Sequence, residues 1–322
     1  MQCTFNAISE AQPGARWQTM FNHHWPAYRS WFLRSMRTHN PSFLECRRAL
    51  RTYMPELVPT WEKLTELAGG GDVEARFLSL WCPPAYIAGC SQAIWQNQEE
   101  TVLLRNYDYA PALLEGAFLC THWNAQEVIA MSDCLWGALD GINGSGLALS
   151  LSFGGRQEVG VGFGIPLVLR YVLEFATTTQ EAVAMLKRVP VHMTYSVAVC
   201  DRHHDTAMVF VAPDRVAEIS PLRVVANHQN CVEWPKHATA THSVERQAAL
   251  SDALAYGASP DSVTQTMLQA PVFQDAYAKG YGTLYTAVYR PQDLTATLLW
   301  RGDVWQQQIG NFSDGTRTIF FI

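Results

Sequence analysis

The chain has 322 residues, 48% of them hydrophobic and only 16% charged, which gives material for a large core and too little charge for a disordered segment. Its formal net charge of −6 leaves no basic footprint for nucleic acid, and no apolar run approaches the ~18 residues of a membrane span. The start, Met1 to Asn6, has neither a charged n-region nor an apolar h-region, which predicts a cytoplasmic protein without membrane contact.

Residues 1–80 are predicted to be helical. An aromatic-rich helix covers Trp17 to Leu33 and is interrupted around Pro26. Pro41-Ser42-Phe43-Leu44-Glu45 is a capping box, in which Ser42 and Glu45 satisfy each other's free amides as a helix begins. A second helix spans Leu57 to Ala68 and stops at Gly69-Gly70-Gly71, and a short one runs from Val73 to Leu80 before Pro83-Pro84. From Cys90 onward strands dominate, at Thr101–Tyr109, Gly116–Trp123, Glu127–Ser132 and Gly146–Phe153. Helices at 165–176 and 182–188 follow, the second opened by Thr178 and Glu181.

Strands return at Thr194–Cys200, Thr206–Val211, Val216–Ile219 and Val224–Ala226. A helix over Val244–Tyr256 and one opened by Ser259-Pro260 precede a hairpin of Thr283–Tyr289 with Thr295–Trp300, and Thr316–Ile322 adds an edge strand. This alternation of strand blocks and helix blocks predicts two layers of antiparallel sheet faced by helices, an α+β architecture, rather than a parallel sheet.

Gly89-Cys90 is the point where the two textures meet. A cysteine there can attack the carbonyl of its own preceding peptide, and glycine offers that attack little steric resistance. Cleavage would leave Cys90 carrying a thiol nucleophile and a free α-amine. Arg105 and Asp108, three apart on the first strand, point to opposite faces unless a bulge intervenes; an arginine beside a thiol favours thiolate. Gly141-Ile142-Asn143-Gly144-Ser145-Gly146 forms a glycine-rich turn that presents one amide side chain, the kind of neutral donor an oxyanion hole needs. Asn227 ends a strand, and Ser243-Val244-Glu245-Arg246 sets an arginine at a helix start. Taken singly, each has a plainer reading: a buried thiol, a surface ion pair, a left-handed turn residue, a solvated helix charge.

The eight cysteines are scattered and form no C-x-x-C pair, which favours reduced thiols over a disulfide framework or zinc site. His23-His24 and His203-His204 lack partners at ligand spacing, so no metal is expected, and no organic cofactor. Gly154-Gly155 with Gly160, Gly162 and Gly164 lacks the lysine of a phosphate loop and is expected to be a loop bordering the substrate pocket.

In order and spacing, Ala88-Gly89-Cys90, Leu104 to Tyr109, Asp140 to Leu147, Ala226-Asn227-His228 and Ser243 to Arg246 together resemble the isopenicillin N acyltransferase family. That family is one of the N-terminal nucleophile (Ntn) hydrolases, with choloylglycine hydrolase, penicillin V acylase and acid ceramidase. The resemblance implies an αββα sandwich, a helical pro-segment over 1–89, a catalytic domain over 90–322 and autocatalytic cleavage between Gly89 and Cys90. It implies Cys90 as nucleophile with its α-amine as base, Arg105 steadying the nucleophile, Asp108 holding the amine, Asn143 and Asn227 at the oxyanion, and Arg246 organising the site. His228-Gln229 replaces the Ser-Pro that follows the asparagine in the bile-salt hydrolase branch, so that branch's substrate preference is not carried over.

The expected function is self-processing and cleavage of a linear amide through a Cys90 thioester, resolved by water or an amine. The expected partners are a small-molecule amide or acyl substrate and the chain's own pro-segment as a bound subunit; a homo-oligomer is left open. The alternatives are acyl-CoA-dependent N-acyl transfer, a Cys-His pair with His228 as base and no cleavage, and a catalytically silent binding protein that keeps the fold.

Overall fold

The structure, a computed structural model, describes residues 1–34, 41–255 and 259–321. The first part contains strand β1 (Gln2–Glu10) and helices α1 (Ala15–Arg34), α2 (Phe43–Tyr53), α3 (Val58–Leu67) and α4 (Asp72–Ser79). Strands β2 (Gly89–Gln96), β3 (Thr101–Tyr109), β4 (Ala117–Thr121), β5 (Val128–Asp133), β6 (Gly137–Asn143) and β7 (Leu147–Phe153) follow, then α5 (Ile165–Phe175) and α6 (Thr179–Arg188). Next come β8 (Tyr195–Asp201), β9 (Thr206–Val211), β10 (Glu218–Ser220), β11 (Val224–Val225), α7 (Pro235–Ala240), α8 (Ser243–Ala255) and α9 (Pro260–Met267). The chain closes with β12 (Gly282–Arg290), β13 (Thr295–Trp300), β14 (Asp303–Gln308) and β15 (Gly315–Phe320).

These strands form two sheets, one of nine strands in the order β10-β9-β8-β7-β6-β5-β4-β1-β15 and one of six in the order β11-β2-β3-β12-β13-β14. Pairing is antiparallel throughout except between β1 and β4. The expected two antiparallel layers faced by helices are what forms. Strands β2, β3 and β12 of the small sheet face β6, β7 and β8 of the large one. On the outer face of the small sheet, Ala93, Leu104, Val224 and Val288 pack with Leu250 of α8 and Val263 and Met267 of α9. On the outer face of the large sheet lies α5, buried along nearly its whole length. A β-carbon on Gly141 would come within 2.9 Å of Leu173 Cδ1 on α5, so glycine there lets helix and sheet approach closely.

The helical expectation for residues 1–80 is corrected at its start. Residues Gln2–Glu10 form a strand between β4 and β15, with Cys3, Phe5 and Ala7 buried on alternate positions. The α1 helix also runs unbroken through Pro26. The capping box of α2 forms, with Ser42 N donating to Glu45 Oε2 at 2.7 Å and Glu45 N to Ser42 Oγ at 3.3 Å. The expected ends at Tyr256 and Ile322 lie outside the described residues.

Candidate active site

Cys90 is the second residue of β2, its side chain wholly buried and its neighbours on β3 fixed by register: Gly89 opposite Asp108, Cys90 opposite Tyr107, Gln92 opposite Arg105. Alternation then sorts the side chains. Gln92 and Arg105 point into the space between the sheets, where Gln92 Nε2 donates to Ser196 O (2.9 Å) and Arg105 Nε to Leu151 O (2.9 Å). Asn106 and Asp108 point outward, where Asn106 Nδ2 donates to Met267 O on α9 (2.8 Å). The expected opposition of Arg105 and Asp108 therefore holds, and Cys90 is gripped from both faces of its strand.

On the inner face Arg105 Nη2 lies 3.1 Å from Cys90 Sγ. On the outer face Arg246 Nη1 lies 2.8 Å from the Cys90 carbonyl, 2.8 Å from Asp108 Oδ2 and 2.7 Å from Ser91 Oγ. Its Nη2 donates to Asn227 Oδ1 at 2.5 Å, and that same oxygen accepts the Cys90 N–H at 3.1 Å. Five of the six site residues named from sequence thus form one connected cluster: Arg105, Asn227 and Arg246 touch Cys90, and Asp108 reaches it through Arg246.

Asn143 is not brought to them, and its expected place at the oxyanion is corrected. Both amide hydrogens are committed to carbonyls at the end of α5, Leu173 O at 2.9 Å and Ala176 O at 2.8 Å. Its Oδ1 accepts from Ser145 N and Leu147 N. The side chain ties a helix end to a turn, which is how an α-helix's unpaired C-terminal carbonyls are satisfied. His228 likewise turns from the thiol: its Nδ1 lies 2.7 Å from Ser243 Oγ, the same hydroxyl that accepts the Asn227 N–H at 2.8 Å.

Sequence reasoning missed an anchoring group beneath Arg105. Asp140 forms a fully buried ion pair with Arg105 and accepts hydroxyl hydrogens from Tyr285 (2.7 Å) and Tyr289. Arg105 also lies over the Tyr107 ring, 4.8 Å from its centroid. A register shift in β12 between Thr283 and Tyr285 makes this possible. Residues two apart on a strand share a face, but the bulge sends Thr283 Oγ1 outward to Asp108 (2.6 Å) and Tyr285 inward to Asp140. Asp140 stood beside Asn143 in the motif; its role was invisible because its partners come from a strand almost 150 residues later.

Electrostatically, burial pushes the Cys90 thiol up against the pull of Arg105 and Arg246, so in the continuous chain it stays protonated at neutral pH. Burial, then Asp140, keeps Tyr285 and Tyr289 as hydroxyl donors. The arrangement suits a neutral thiol that loses its proton only as it attacks. A cavity of about 400 Å³ lies nearby, lined by Tyr28, Trp31, Tyr86, Tyr109, Glu115 and Asp133 among others. The Tyr109 ring of its wall lies 5.6 Å from the ring of Tyr107, the cross-strand partner of Cys90, and is tilted against it. The loop of Gly154 to Gly164, expected to border the substrate pocket, lines none of this cavity; it approaches the site at Gly155, where a β-carbon would collide with Asn227 O. Among the described residues no group of three or more His, Cys, Asp or Glu side chains is arranged to hold a metal ion. None of their helices is long and apolar enough to cross a membrane.

Two sheets packed face to face between helical layers form the four-layer architecture of the Ntn class, and Cys90 stands at the start of β2, next to the short edge strand β11. The chain belongs to the acyl-coenzyme A:6-aminopenicillanic acid acyl-transferase family, whose model matches residues 95–305. That span is more than half of the chain; it includes Arg105, Asp108, Asn227 and Arg246 and begins just past Cys90. Membership makes it a protein of the Ntn hydrolase and acyltransferase class. Among solved structures it is similar to penicillin V acylase from Agrobacterium tumefaciens, at 14% identity and a TM-score of 0.48, covering 69% of this chain and 86% of that one. It is also similar to a Caenorhabditis elegans N-acylethanolamine-hydrolyzing acid amidase ortholog, at 16% identity and a TM-score of 0.45, covering 63% and 93%. A mutant of the conjugated bile acid hydrolase from Clostridium perfringens gives 10% identity and a TM-score of 0.47 over 71% and 96%. No curated protein matches the sequence.

Proposed function

We propose that the chain is a self-processing cysteine hydrolase or acyltransferase acting on a linear amide. One observation carries this reading: Arg105 holds the Cys90 sulfur while Asn227 and Arg246 hold the N–H and C=O of the same residue. A structural cysteine has no need of two buried arginines.

In the first step Cys90 Sγ attacks the Gly89 carbonyl carbon. A carbon–sulfur bond forms, the bond to Cys90 N breaks, and the thiol proton ends on that nitrogen. Water then hydrolyses the thioester, leaving a Gly89 carboxyl, a free thiol and an α-amine beside it. That amine takes the thiol proton when an external amide is attacked and returns it to the leaving amine. Asn227 Nδ2 uses one hydrogen on Phe153 O (3.2 Å), and its other is the proposed donor to the oxyanion, together with backbone amides. Asp108 holds Arg246 against the Cys90 backbone. No metal or organic cofactor enters these steps.

The fragment of residues 1–89 is proposed to stay bound as a subunit. Its β1 is hydrogen-bonded on both sides within the large sheet, Trp17 Nε1 donates to Leu135 O (2.8 Å), and Leu78 O accepts from Trp136 Nε1 (2.9 Å). The name of the family favours an acyl amide as substrate, with water or an amine as acceptor. The test is to incubate processed protein with a panel of linear amides and read an acyl adduct on Cys90 by mass. Turnover that survives Cys90→Ala undiminished would overturn the reading.

A further inference from the structure

We infer that Tyr281 selects an unsubstituted α-carbon on whatever carbonyl Cys90 attacks, in the chain itself and in the external substrate. The inference rests on the proposed role of Cys90 as nucleophile and deepens it.

Tyr281 precedes β12, its hydroxyl buried and without a hydrogen-bond partner. An unsatisfied buried hydroxyl is costly, and its position therefore asks for a reason. It sits at the outer face of Gly89. A β-carbon built on Gly89 would lie 1.8 Å from the Tyr281 hydroxyl oxygen and 3.1 Å from the ring carbon that carries it. The third neighbour is the Asp108 β-carbon, also at 3.1 Å. The hydroxyl thus occupies the place where any side chain at residue 89 would begin. A tyrosine has only two torsions, so moving that oxygen by more than an ångström swings the whole ring.

Glycine before Cys90 is accordingly fixed by a collision with one named oxygen as much as by the flexibility of the residue. In processing, Gly89 Cα is the α-carbon of the acyl group that passes to sulfur. An external substrate must place its own acyl carbon within reach of the same sulfur, held by Arg105 on one face. Its α-carbon then takes the position of Gly89 Cα, with the Tyr281 hydroxyl against one of its substituents. A methylene α-carbon fits; an α-methyl branch does not.

The test combines processing and turnover. Gly89→Ala is introduced with Tyr281 intact and with Tyr281→Phe, which removes only the colliding oxygen. The expected slowing of self-cleavage by Gly89→Ala is about tenfold or more with tyrosine present and about threefold or less in the Tyr281→Phe background. Equal slowing in both backgrounds overturns the inference. Processed wild type is expected to prefer phenylacetyl over 2-phenylpropionyl p-nitroanilide by about tenfold or more, and Tyr281→Phe to shrink that ratio. A ratio that the substitution leaves unmoved overturns it as well. Where neither anilide is turned over, the processing comparison decides alone. Thermal melts of each variant on the Cys90→Ala background identify any that fail to fold, and Tyr281→Ala then replaces Tyr281→Phe. An uncut wild type is a different failure: it sinks the Cys90 reading and this inference with it, and it shows before any variant is made.

Discussion

Asp140 and Arg105 form an ion pair in which neither side chain is exposed, and it is Arg105 that lies against the Cys90 sulfur. The pair sits between the sheets with Tyr285 and Tyr289 completing the carboxylate's hydrogen bonds. Removing one partner of such a pair leaves an uncompensated buried charge. Asp140→Ala is therefore expected to destabilise the chain by about 3–5 kcal/mol. Tyr289→Phe removes one hydrogen bond to the same carboxylate and is expected to cost about 1–3 kcal/mol. Urea denaturation on the Cys90→Ala background measures both; a cost below about 0.5 kcal/mol for Asp140→Ala would show that the anchor carries no weight.

The two asparagines separate a structural amide from a site amide. Asn143→Ala unties the end of α5 and leaves Leu173 and Ala176 carbonyls without their donor. Its expected cost is about 1–3 kcal/mol of stability, with self-cleavage within about threefold of wild type at a temperature where both are folded. Asn227→Ala removes the acceptor of the Cys90 N–H and is expected to slow cleavage by about a hundredfold or more. Time courses of cleavage read by gel decide it. The assignment is contradicted if Asn143→Ala stops cleavage while Asn227→Ala does not.

Asp133 gives a pH dependence with a definite sign. Burial, and then the neighbouring Glu115, pushes its carboxyl up to about 7. In the unfolded chain an aspartate titrates near its ordinary value of about 3.9. Between these values the folded chain holds the extra proton, so the contribution to stability is full below about pH 4 and is lost as pH rises toward about 7. Asp133→Asn abolishes that slope. The stability of the parent minus that of the variant should fall by about 1 kcal/mol per pH unit between about pH 5 and 7. A flat difference would mean that the carboxyl titrates normally.

The sequence disclosed the site better where chemistry is local than where register decides. Arg105 and Asp108 were legible because their spacing on a strand fixes opposite faces. Cys90 and Asn227 were legible from motif order. The strand β1 was not, although Cys3, Phe5 and Ala7 carry the alternation of a half-buried strand, because its partners β4 and β15 lie far along the chain. The strand β6 was hidden by its glycines. They resemble turn residues, yet Gly141 serves the close approach of α5, and this is also why Asn143 was misplaced. The bulge in β12 that sends Thr283 and Tyr285 to opposite faces leaves no composition signal, so Asp140 and its tyrosines could be found only in three dimensions. The extra residue, Leu284, is an ordinary apolar strand residue.

The central claim is that Cys90 cuts the chain before itself. Intact mass of freshly purified protein, with the N-terminal sequence of each fragment, tests it most directly. The expected result for wild type is two fragments in place of one chain of 36.0 kDa, the larger beginning at Cys90, with Cys90→Ala remaining whole. A wild-type chain that stays whole, or a Cys90→Ala chain cut at the same bond, would contradict the account.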